Sequence, residues 1–132
     1  DSESSHFVPA MISKLHRAKD GDEVVFWGTG EPKRQQLYVD DLCEAIPLLL
    51  EKHEGMEAVI VAPEENLSIK EMVELALPIM DKDVNIKFNQ DLDGQFRKDG
   101  DNSLFNSIIP GFKFTSFKEG LKKTYEWYRG KR

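Results

Sequence analysis

The chain has 132 residues, with 18 Lys and Arg against 24 Asp and Glu, and a formal net charge of −6. This length suits one domain, and the acidic balance argues against a general nucleic-acid-binding protein, because phosphate contacts need clustered cations. No run reaches the roughly 18 apolar residues of a membrane span. The single cysteine, Cys43, cannot form an internal disulfide, which favours a cytoplasmic protein; its apolar helical surroundings predict that it is buried.

The first predicted element is a helix. Apolar residues recur at three- and four-residue spacing over positions 8–15, which predicts a helix that ends near residue 18. Pro9 falls in its first turn, where proline is tolerated because the missing amide has no partner there in any case. His6 and Phe7 therefore stand at the mouth of this helix.

The next segment is the most distinctive. An apolar strand over residues 24–27 ends abruptly at a turn that contains Gly28 and Gly30, and Trp27 and Arg34 flank that turn. A Trp offers a flat π-face on which a base can stack, and an Arg offers a planar fork that matches phosphate oxygens. We predict a hairpin that faces a nucleotide; the alternative is a core Trp27 and a solvated Arg34.

The middle of the chain predicts two helices and a strand. Asp40 can cap a second helix, and Pro47 inside it predicts a kink or a later start. Residues 58–62 have the composition of a short buried strand. Ser68 and Glu71 form a capping box, which predicts the start of a third helix.

The last third of the chain alternates polar and apolar residues over 84–88, which predicts a half-buried strand. The polar segment 89–101 is predicted to be a loop. A short helix near 103–108 and a final helix over 116–128, opened by a second capping box, complete the pattern. We therefore predict one α/β domain over residues 1–132.

The sequence predicts neither a metal site nor a cofactor site. None of the three histidines has a metal-ligand spacing such as His-Glu-x-x-His, and His16 and His53 are predicted to be solvated. The turn Gly-Thr-Gly at 28–30 lacks the third glycine of a dinucleotide fingerprint and the Gly-Lys-Ser/Thr ending of a P-loop.

Three segments occur in an order and at spacings that a known family shares. They are Ser-His-Phe-Val-Pro-Ala-Met-Ile at 5–12, Trp-Gly-Thr-Gly-Glu-Pro-Lys-Arg at 27–34 followed by Leu-Tyr-Val-Asp-Asp-Leu at 37–42, and Asp-Gly-Gln-Phe-Arg-Lys at 93–98. Together they resemble the extended short-chain dehydrogenase/reductase enzymes of sugar nucleotides and, among these, the GDP-L-fucose synthase family. The resemblance runs from about residue 4 to residue 128.

The resemblance implies a small mixed α+β substrate-binding domain, the C-terminal part of an enzyme whose N-terminal Rossmann domain is not in this sequence. The chain contains neither the family's Gly-x-x-Gly-x-x-Gly unit nor its Tyr-x-x-x-Lys pair. The implied activity is the NADPH-dependent epimerisation and reduction of GDP-4-keto-6-deoxy-mannose to GDP-L-fucose. NADPH would bind only the full-length enzyme, so we expect this chain alone to be inactive. A homodimer, where it forms, would depend largely on the cofactor domain.

The resemblance also implies residue roles. His6 matches the family's acid/base histidine, which acts at the carbons next to the 4-keto group, and its ordinary pKa suits proton exchange near neutral pH. Arg34 and Lys98 would neutralise the diphosphate, while Asp93 and Arg97 would hold their loop in place. The implied substrate-binding residues are Phe7, Met11, Lys14, Phe26, Trp27, Arg34 and Lys98.

Two alternatives remain open at this point. Leu104 stands where the family usually has Lys or Arg, and Lys14 stands where Arg is common, so the chain could belong to another nucleotide-sugar epimerase or dehydratase that prefers UDP or dTDP. The absence of a cofactor half in the sequence motivates the second alternative, a nucleotide-sugar-binding subunit without chemistry of its own.

Overall fold

The computed structural model of the chain describes residues 7–90, 97–98 and 100–130, with only the backbone at 97 and 98. The predicted α/β class is confirmed. No helix in the described ranges is long and apolar enough to cross a membrane. In chain order the elements are α1 (Phe7–Arg17), β1 (Glu23–Phe26), β2 (Lys33–Arg34), α2 (Val39–Lys52), β3 (Leu67–Ser68), α3 (Ile69–Ile79), β4 (Asn85–Phe88), β5 (Arg97–Lys98), α4 (Ser103–Ile108) and α5 (Phe117–Gly130).

The larger apolar core lies against a pair of parallel strands. β1 and β4 pair with Val24 opposite Ile86 and Phe26 opposite Phe88, and the alternating pattern of β1 turns Val24 and Phe26 inward. Three helices, α1, α3 and α5, cover this pair. Their fully or nearly buried residues include Met11, Ile12, Leu15, Met72, Val73, Ala76, Phe117, Leu121 and Tyr125.

The remaining short strands form a second sheet in the order β3-β2-β5. β2 is antiparallel to β3 and parallel to β5. The predicted hairpin between β1 and β2 is therefore wrong: the turn at Gly28 and Gly30, with φ of 82° and 81°, carries the chain from one sheet into the other. The predicted loop over 89–101 is likewise interrupted by β5.

α1 has close to its predicted bounds, and its C-terminal end is held by contacts from distant segments. The Lys82 ammonium donates to the carbonyl oxygens of His16 (3.2 Å) and Ala18 (2.7 Å). The His16 ring is half-buried, with Nδ1 3.0 Å from the Tyr125 hydroxyl oxygen and its plane edge-on to Tyr128 at 5.2 Å between centroids. The prediction that His16 is solvated is therefore wrong.

The capping box that begins α3 is confirmed. Ser68 Oγ accepts a hydrogen bond from the Glu71 amide (3.0 Å), and Glu71 Oε1 accepts one from the Ser68 amide (3.1 Å). Hydrogen bonds from the Ser68 backbone and then from its hydroxyl lower the pKa of the Glu71 carboxyl from its ordinary 4.5. The box thus satisfies two amides that the first turn of a helix leaves unpaired.

The start of α5 is fixed by carboxylates from other parts of the chain. Glu65 Oε1 accepts a hydrogen bond from the Phe117 amide (2.7 Å). The buried carboxylate of Asp41 accepts two more, from the Thr115 amide (2.6 Å) and the Thr115 hydroxyl (2.7 Å). Of the capping box predicted at Ser116, the bond from the Glu119 amide to Ser116 Oγ (3.2 Å) is present. Asp41 therefore ties the first turn of α2 to the segment that precedes α5.

Helix α2 carries apolar side chains on two faces. Its inner face, centred on Ala45, packs with Phe105 and Ile109 in a second, smaller core. Its outer face presents residues at spacings of four, three and four positions, which places them on one side of the helix. This exposed stripe consists of Val39, Cys43, Ile46 and Leu50. α2 therefore has a second apolar face besides the one that packs on the smaller core, although exposed charged residues such as Asp40 and Glu44 also lie on it.

Three predictions about α2 are corrected. The residue before the helix is Tyr38, whose side chain makes no cap hydrogen bond, so Asp40 is not the cap. Pro47 does not delay the start of α2, which begins at Val39 and runs to Lys52, so the later start is wrong and the kink stays a prediction. Pro47 is exposed, and water can reach the carbonyl that loses its amide partner there. Cys43 is exposed rather than buried, because it belongs to the outer stripe.

Residues 58–62 have the side-chain pattern of a strand without forming one. Val59 and Val61 pack against the second core, while Ile60 between them is 49% exposed. Across the part of the chain that the structure describes, no neighbouring strand offers this segment a backbone ladder, so the strand prediction is wrong. His53, predicted to be solvated, lies half-buried just before this segment with Nε2 3.1 Å from the Glu57 carbonyl oxygen.

Candidate nucleotide-binding site

Trp27 stands at the carboxyl end of β1 with its side chain in solvent. Phe26, one position earlier, is 5% exposed, whereas Trp27 is 73% exposed. The two side chains point to opposite sides because the pleat alternates along a strand. The alternative of a core Trp27 is thus contradicted, and the structure presents an indole ring to solvent directly beside the core.

Phe7 and Lys14 lie beside the end of β1. The Phe26 ring has its centroid 6.2 Å from that of Phe7 and 6.0 Å from that of Phe88. The Lys14 ammonium lies 5.0 Å from the Phe26 ring centroid and donates a 2.6 Å hydrogen bond to the Val25 carbonyl oxygen. Lys14 is exposed and Phe7 half-buried, so a cation and an aromatic edge stand next to the strand that carries Trp27.

Arg34 and Lys98 are register partners. They lie on β2 and β5, which run parallel, and their Cα atoms are paired directly across the two strands. Arg34 is half-buried, and its Nη1 donates to the Lys33 carbonyl oxygen (2.7 Å). The side chain of Lys98 lies outside the described atoms. At the level of the backbone, the structure brings together two basic residues that are 64 positions apart in sequence.

The turn that joins Trp27 to β2 is anchored on the first turn of α3. The Ile69 amide donates to the Pro32 carbonyl oxygen (2.9 Å), and the Lys70 amide donates to the Gly30 carbonyl oxygen (2.9 Å). These amides are therefore committed to protein partners and are not free to bind a phosphate. The Gly-rich turn is followed by a strand and not by a helix, so this turn is not the strand–turn–helix unit that binds the phosphates of a dinucleotide.

Some predicted site residues are not surface residues here. Met11 is fully buried in the larger core, so its side chain presents no surface to a ligand in this structure, and its contact with substrate stays a prediction. Phe26 is nearly buried as well. His6 and Asp93 lie outside the described residues, and their predicted roles stay predictions.

Sequence reasoning missed Asn89. Its Oδ1 accepts a hydrogen bond from the Gly28 amide (2.9 Å), and its own amide donates to the Phe26 carbonyl oxygen (3.0 Å). Asn89 thus clamps the residues on both sides of Trp27. The sequence places it directly after the alternating strand, where it reads as the first residue of a loop; the partner across the sheet was the missing information.

Two clefts of about 80 and 370 Å³ lie away from the candidate site residues, none of which lines either cleft. Residues that line the first cleft include Tyr38 and Thr124, and residues that line the second include Glu64 and Phe112. Beside the first cleft, partial burial and then the Asp40 carboxylate raise the pKa of the Tyr38 hydroxyl. Within the described ranges, no three His, Cys, Asp or Glu side chains are grouped to hold a metal ion.

Known proteins resemble this chain over nearly its whole length. The model of the NAD dependent epimerase/dehydratase family matches residues 1–62. A GDP-L-fucose synthase of Arabidopsis thaliana is 36% identical over 129 residues, which are 96% of this chain and 40% of that protein. Crystal structures of a GDP-L-fucose synthetase from Naegleria fowleri superpose with TM-scores of 0.92 and, bound to NADP, 0.88, at 25% and 26% identity; each match covers 98% of this chain and 41% or 42% of that protein.

The chain therefore belongs to the extended short-chain dehydrogenase/reductase class. It spans about two fifths of the length of the relatives that it matches. Within the class it is a member of the GDP-L-fucose synthase family, in agreement with the resemblance seen in its motifs.

Proposed function

We propose that this chain is the substrate-binding part of an NADPH-dependent epimerase/reductase that converts GDP-4-keto-6-deoxy-mannose to GDP-L-fucose. The observation that carries the proposal is the exposed Trp27 followed, across one anchored turn, by Arg34 in direct register with Lys98. An indole face suits a base, and paired basic residues suit a diphosphate. The family relationship supports the choice of GDP, because the relatives are named for a GDP-sugar.

The proposed contacts divide into those that touch the nucleotide-sugar and those that support it. Trp27 stacks on the base, Arg34 and Lys98 pair with the diphosphate, and Lys14 adds a third cation beside β1. Phe7 offers an aromatic edge next to Lys14. Met11 and Phe26 are buried and hold these groups from below.

We propose His6 as the acid/base of epimerisation. A ketone acidifies the C–H bonds on the neighbouring carbons, so one group removes a proton and a second returns one to the opposite face. His6 can take only one of these positions, since inversion needs two groups on opposite faces. The sole cysteine, Cys43, lies in the middle of α2 and is not proposed for the second.

The cofactor chemistry belongs to the rest of the enzyme. NADPH supplies the hydride that reduces the 4-keto group, and these 132 residues contain no Tyr-x-x-x-Lys pair to protonate the oxygen that results. We therefore expect the chain by itself to be inactive. Its single cysteine supports a cytoplasmic location, where thiols stay reduced.

We further propose that the cofactor-binding part of the enzyme covers the outer face of α2. Besides the stripe of Val39, Cys43, Ile46 and Leu50, the segment after α2 exposes Met56 and Ile60, which are 101% and 49% exposed. An apolar surface of this kind marks an interaction site. The relatives are about two and a half times as long as the matched region, so a covering part of the same enzyme is the economical occupant.

A fluorescence titration tests the nucleotide. In a Trp127→Phe background Trp27 is the only indole, so its emission reports on a base that stacks against it. We expect saturable quenching by GDP, with affinity at least ten-fold tighter than for UDP or dTDP, which differ only in the base and the sugar. The same titration of Trp27→Phe, with Trp127 retained, is the control and should give no quenching.

The other outcomes discriminate between the alternatives. Preference for UDP or dTDP would contradict the GDP-sugar proposal and favour another nucleotide-sugar epimerase or dehydratase. GDP binding with no loss of activity when the full enzyme carries His6→Asn would contradict the acid/base role and favour a subunit that only binds the sugar nucleotide.

A further inference from the structure

The turn that presents Trp27 is held from the side of β4 as well as from α3. Beyond β4, the Asn89 amide donates to the Phe26 carbonyl oxygen (3.0 Å) and the Gln90 amide donates to the Gly28 carbonyl oxygen (3.1 Å). These backbone bonds continue the β1–β4 ladder past its last paired residues. They fix the chain immediately before and after Trp27, whose side chain is 73% exposed.

The remaining bond of this clamp comes from a side chain. The Gly28 amide donates to Asn89 Oδ1 at 2.9 Å, and Gly28 itself is buried, so bulk water cannot replace that acceptor at low cost. Gly28 has a φ of 82°, and glycine adopts positive φ values about as readily as negative ones. The bond from Asn89 Oδ1 therefore adds a side-chain restraint on Gly28 to the backbone bonds that hold the turn.

At Gly30, close packing restricts the backbone of the turn. A Cβ on Gly30, which has a φ of 81°, would lie 2.9 Å from the Phe88 ring, so the chain passes directly over that ring. The turn is thus held at Gly30 by packing and by the Lys70 amide, and at Gly28 by the Gln90 amide and by one carboxamide. Of these restraints, only the carboxamide at Gly28 can be removed by changing a single side chain without disturbing the core.

We propose that Asn89 is the positioning residue for Trp27: its carboxamide oxygen fixes Gly28, and so sets the direction in which the indole leaves β1, ready for a nucleotide base. The identity of the ligand rests on the proposed function, whereas the role of Asn89 in orienting Trp27 rests on the hydrogen bonds alone. A ring that is already oriented loses less freedom when a base stacks on it, which strengthens binding.

The test uses the Trp127→Phe background and compares Asn89→Leu, which removes the acceptor at similar size, with Asn89→Asp, which keeps an oxygen there. Time-resolved anisotropy of Trp27 measures how tightly the indole is held. We expect faster nanosecond depolarisation in Asn89→Leu and the parental value in Asn89→Asp. GDP affinity should fall about ten-fold in Asn89→Leu.

The affinity of Asn89→Asp is not used as a rescue criterion, because its added charge repels a diphosphate. Unchanged depolarisation in Asn89→Leu, or failure of Asn89→Asp to restore it, would overturn the positioning role. If Asn89→Leu does not fold, Asn89→Ser, whose shorter side chain cannot reach the Gly28 amide, gives the same comparison. If the parental chain binds no nucleotide, the proposed function fails while the anisotropy result still decides the role of Asn89.

Discussion

At the end of β1, two neighbouring residues differ sharply in exposure. Phe26 and Trp27 are neighbours in sequence, yet one is 5% and the other 73% exposed, because successive side chains of a strand alternate between its two sides. Stacking of a base on an aromatic ring contributes about 1–3 kcal/mol. An exposed Trp can contribute that to binding, whereas a buried Phe contributes to folding.

The sequence motifs named the candidate site residues, but they did not indicate how deeply each side chain is buried. Trp27, Arg34 and Lys98 were found by motif, and the register between β2 and β5 brings the last two together. Met11 has the spacing of an apolar helical face, and spacing does not tell whether that face meets a ligand or the core. Asn89 carries no local signal, since its partner Gly28 is 61 positions away.

Asp41 gives a prediction about stability. Its buried carboxylate accepts hydrogen bonds from both the amide and the hydroxyl of Thr115. We expect Asp41→Ala to lower the free energy of unfolding by about 1.5–3 kcal/mol, the range for hydrogen bonds to a charged group. Urea denaturation measures this difference.

Asp40→Ala is the matched control, because it removes the same charge from the neighbouring, exposed position in the first turn of α2. It should cost less than 1 kcal/mol or so, as expected of an exposed helix-terminal charge. Equal losses in the two variants would mean that charge at the helix start, rather than the bonds to Thr115, stabilises this region.

At the scale of elements, local signals succeeded where the determining contacts are local. The Ser68 and Glu71 capping box is complete within four residues, and it begins α3 where predicted. The hairpin between β1 and β2 failed because pairing is decided across the chain: β4, about 60 residues away, occupies the edge of β1. The same reason explains residues 58–62, whose strand pattern lacks a backbone partner among the described residues.

The capping box predicts a pH dependence. Since hydrogen bonds from Ser68 lower the pKa of Glu71 in the folded chain, the ionised carboxylate stabilises the fold at pH values above its ordinary 4.5, and this contribution is lost as pH falls through the lower folded pKa. Glu71→Gln should therefore be less stable than the parent at pH 7, and the difference should shrink at pH 3.

Chemical denaturation at the two pH values measures the effect. Glu74→Gln, an exposed carboxylate in the middle of the same helix, is the control. A Glu71→Gln difference that is the same at pH 3 and pH 7 would contradict the link between the cap and the pKa. Ser68→Ala, which removes the hydroxyl acceptor, should cost about 1 kcal/mol at pH 7.

At the scale of the whole molecule, helix α2 has an exposed apolar face that the described residues do not cover. Its inner face packs on the second core, while its outer stripe and residues 58–62 present apolar surface. The sequence signal that predicted a buried Cys43 was a signal of apolar surroundings, and the structure assigns those surroundings to the outer face. A covering domain would account for the apolar residues that both segments expose.

The reactivity of Cys43 can show whether the outer face of α2 is covered. It is the only cysteine of the chain and lies within the outer stripe, so a maleimide should label it rapidly in the isolated chain. Co-expression with the unmatched three fifths of the Arabidopsis relative should slow labelling of Cys43, as measured by mass spectrometry, and Leu50→Asp should restore the fast rate. Slow labelling in the isolated chain would indicate a second copy on this face instead, and unchanged labelling on co-expression would contradict the proposed docking.

The most direct test of the nucleotide site is the affinity of Arg34→Ala for GDP, followed by the fluorescence of Trp27 in the Trp127→Phe background. Loss of one charge-assisted pairing with phosphate should weaken binding at least ten-fold. Arg17→Ala, which removes an equal charge from the exposed end of α1, should leave the affinity within about two-fold. Equal affinities for GDP in the parent and in Arg34→Ala, or no saturable binding by the parent, would contradict the proposed site.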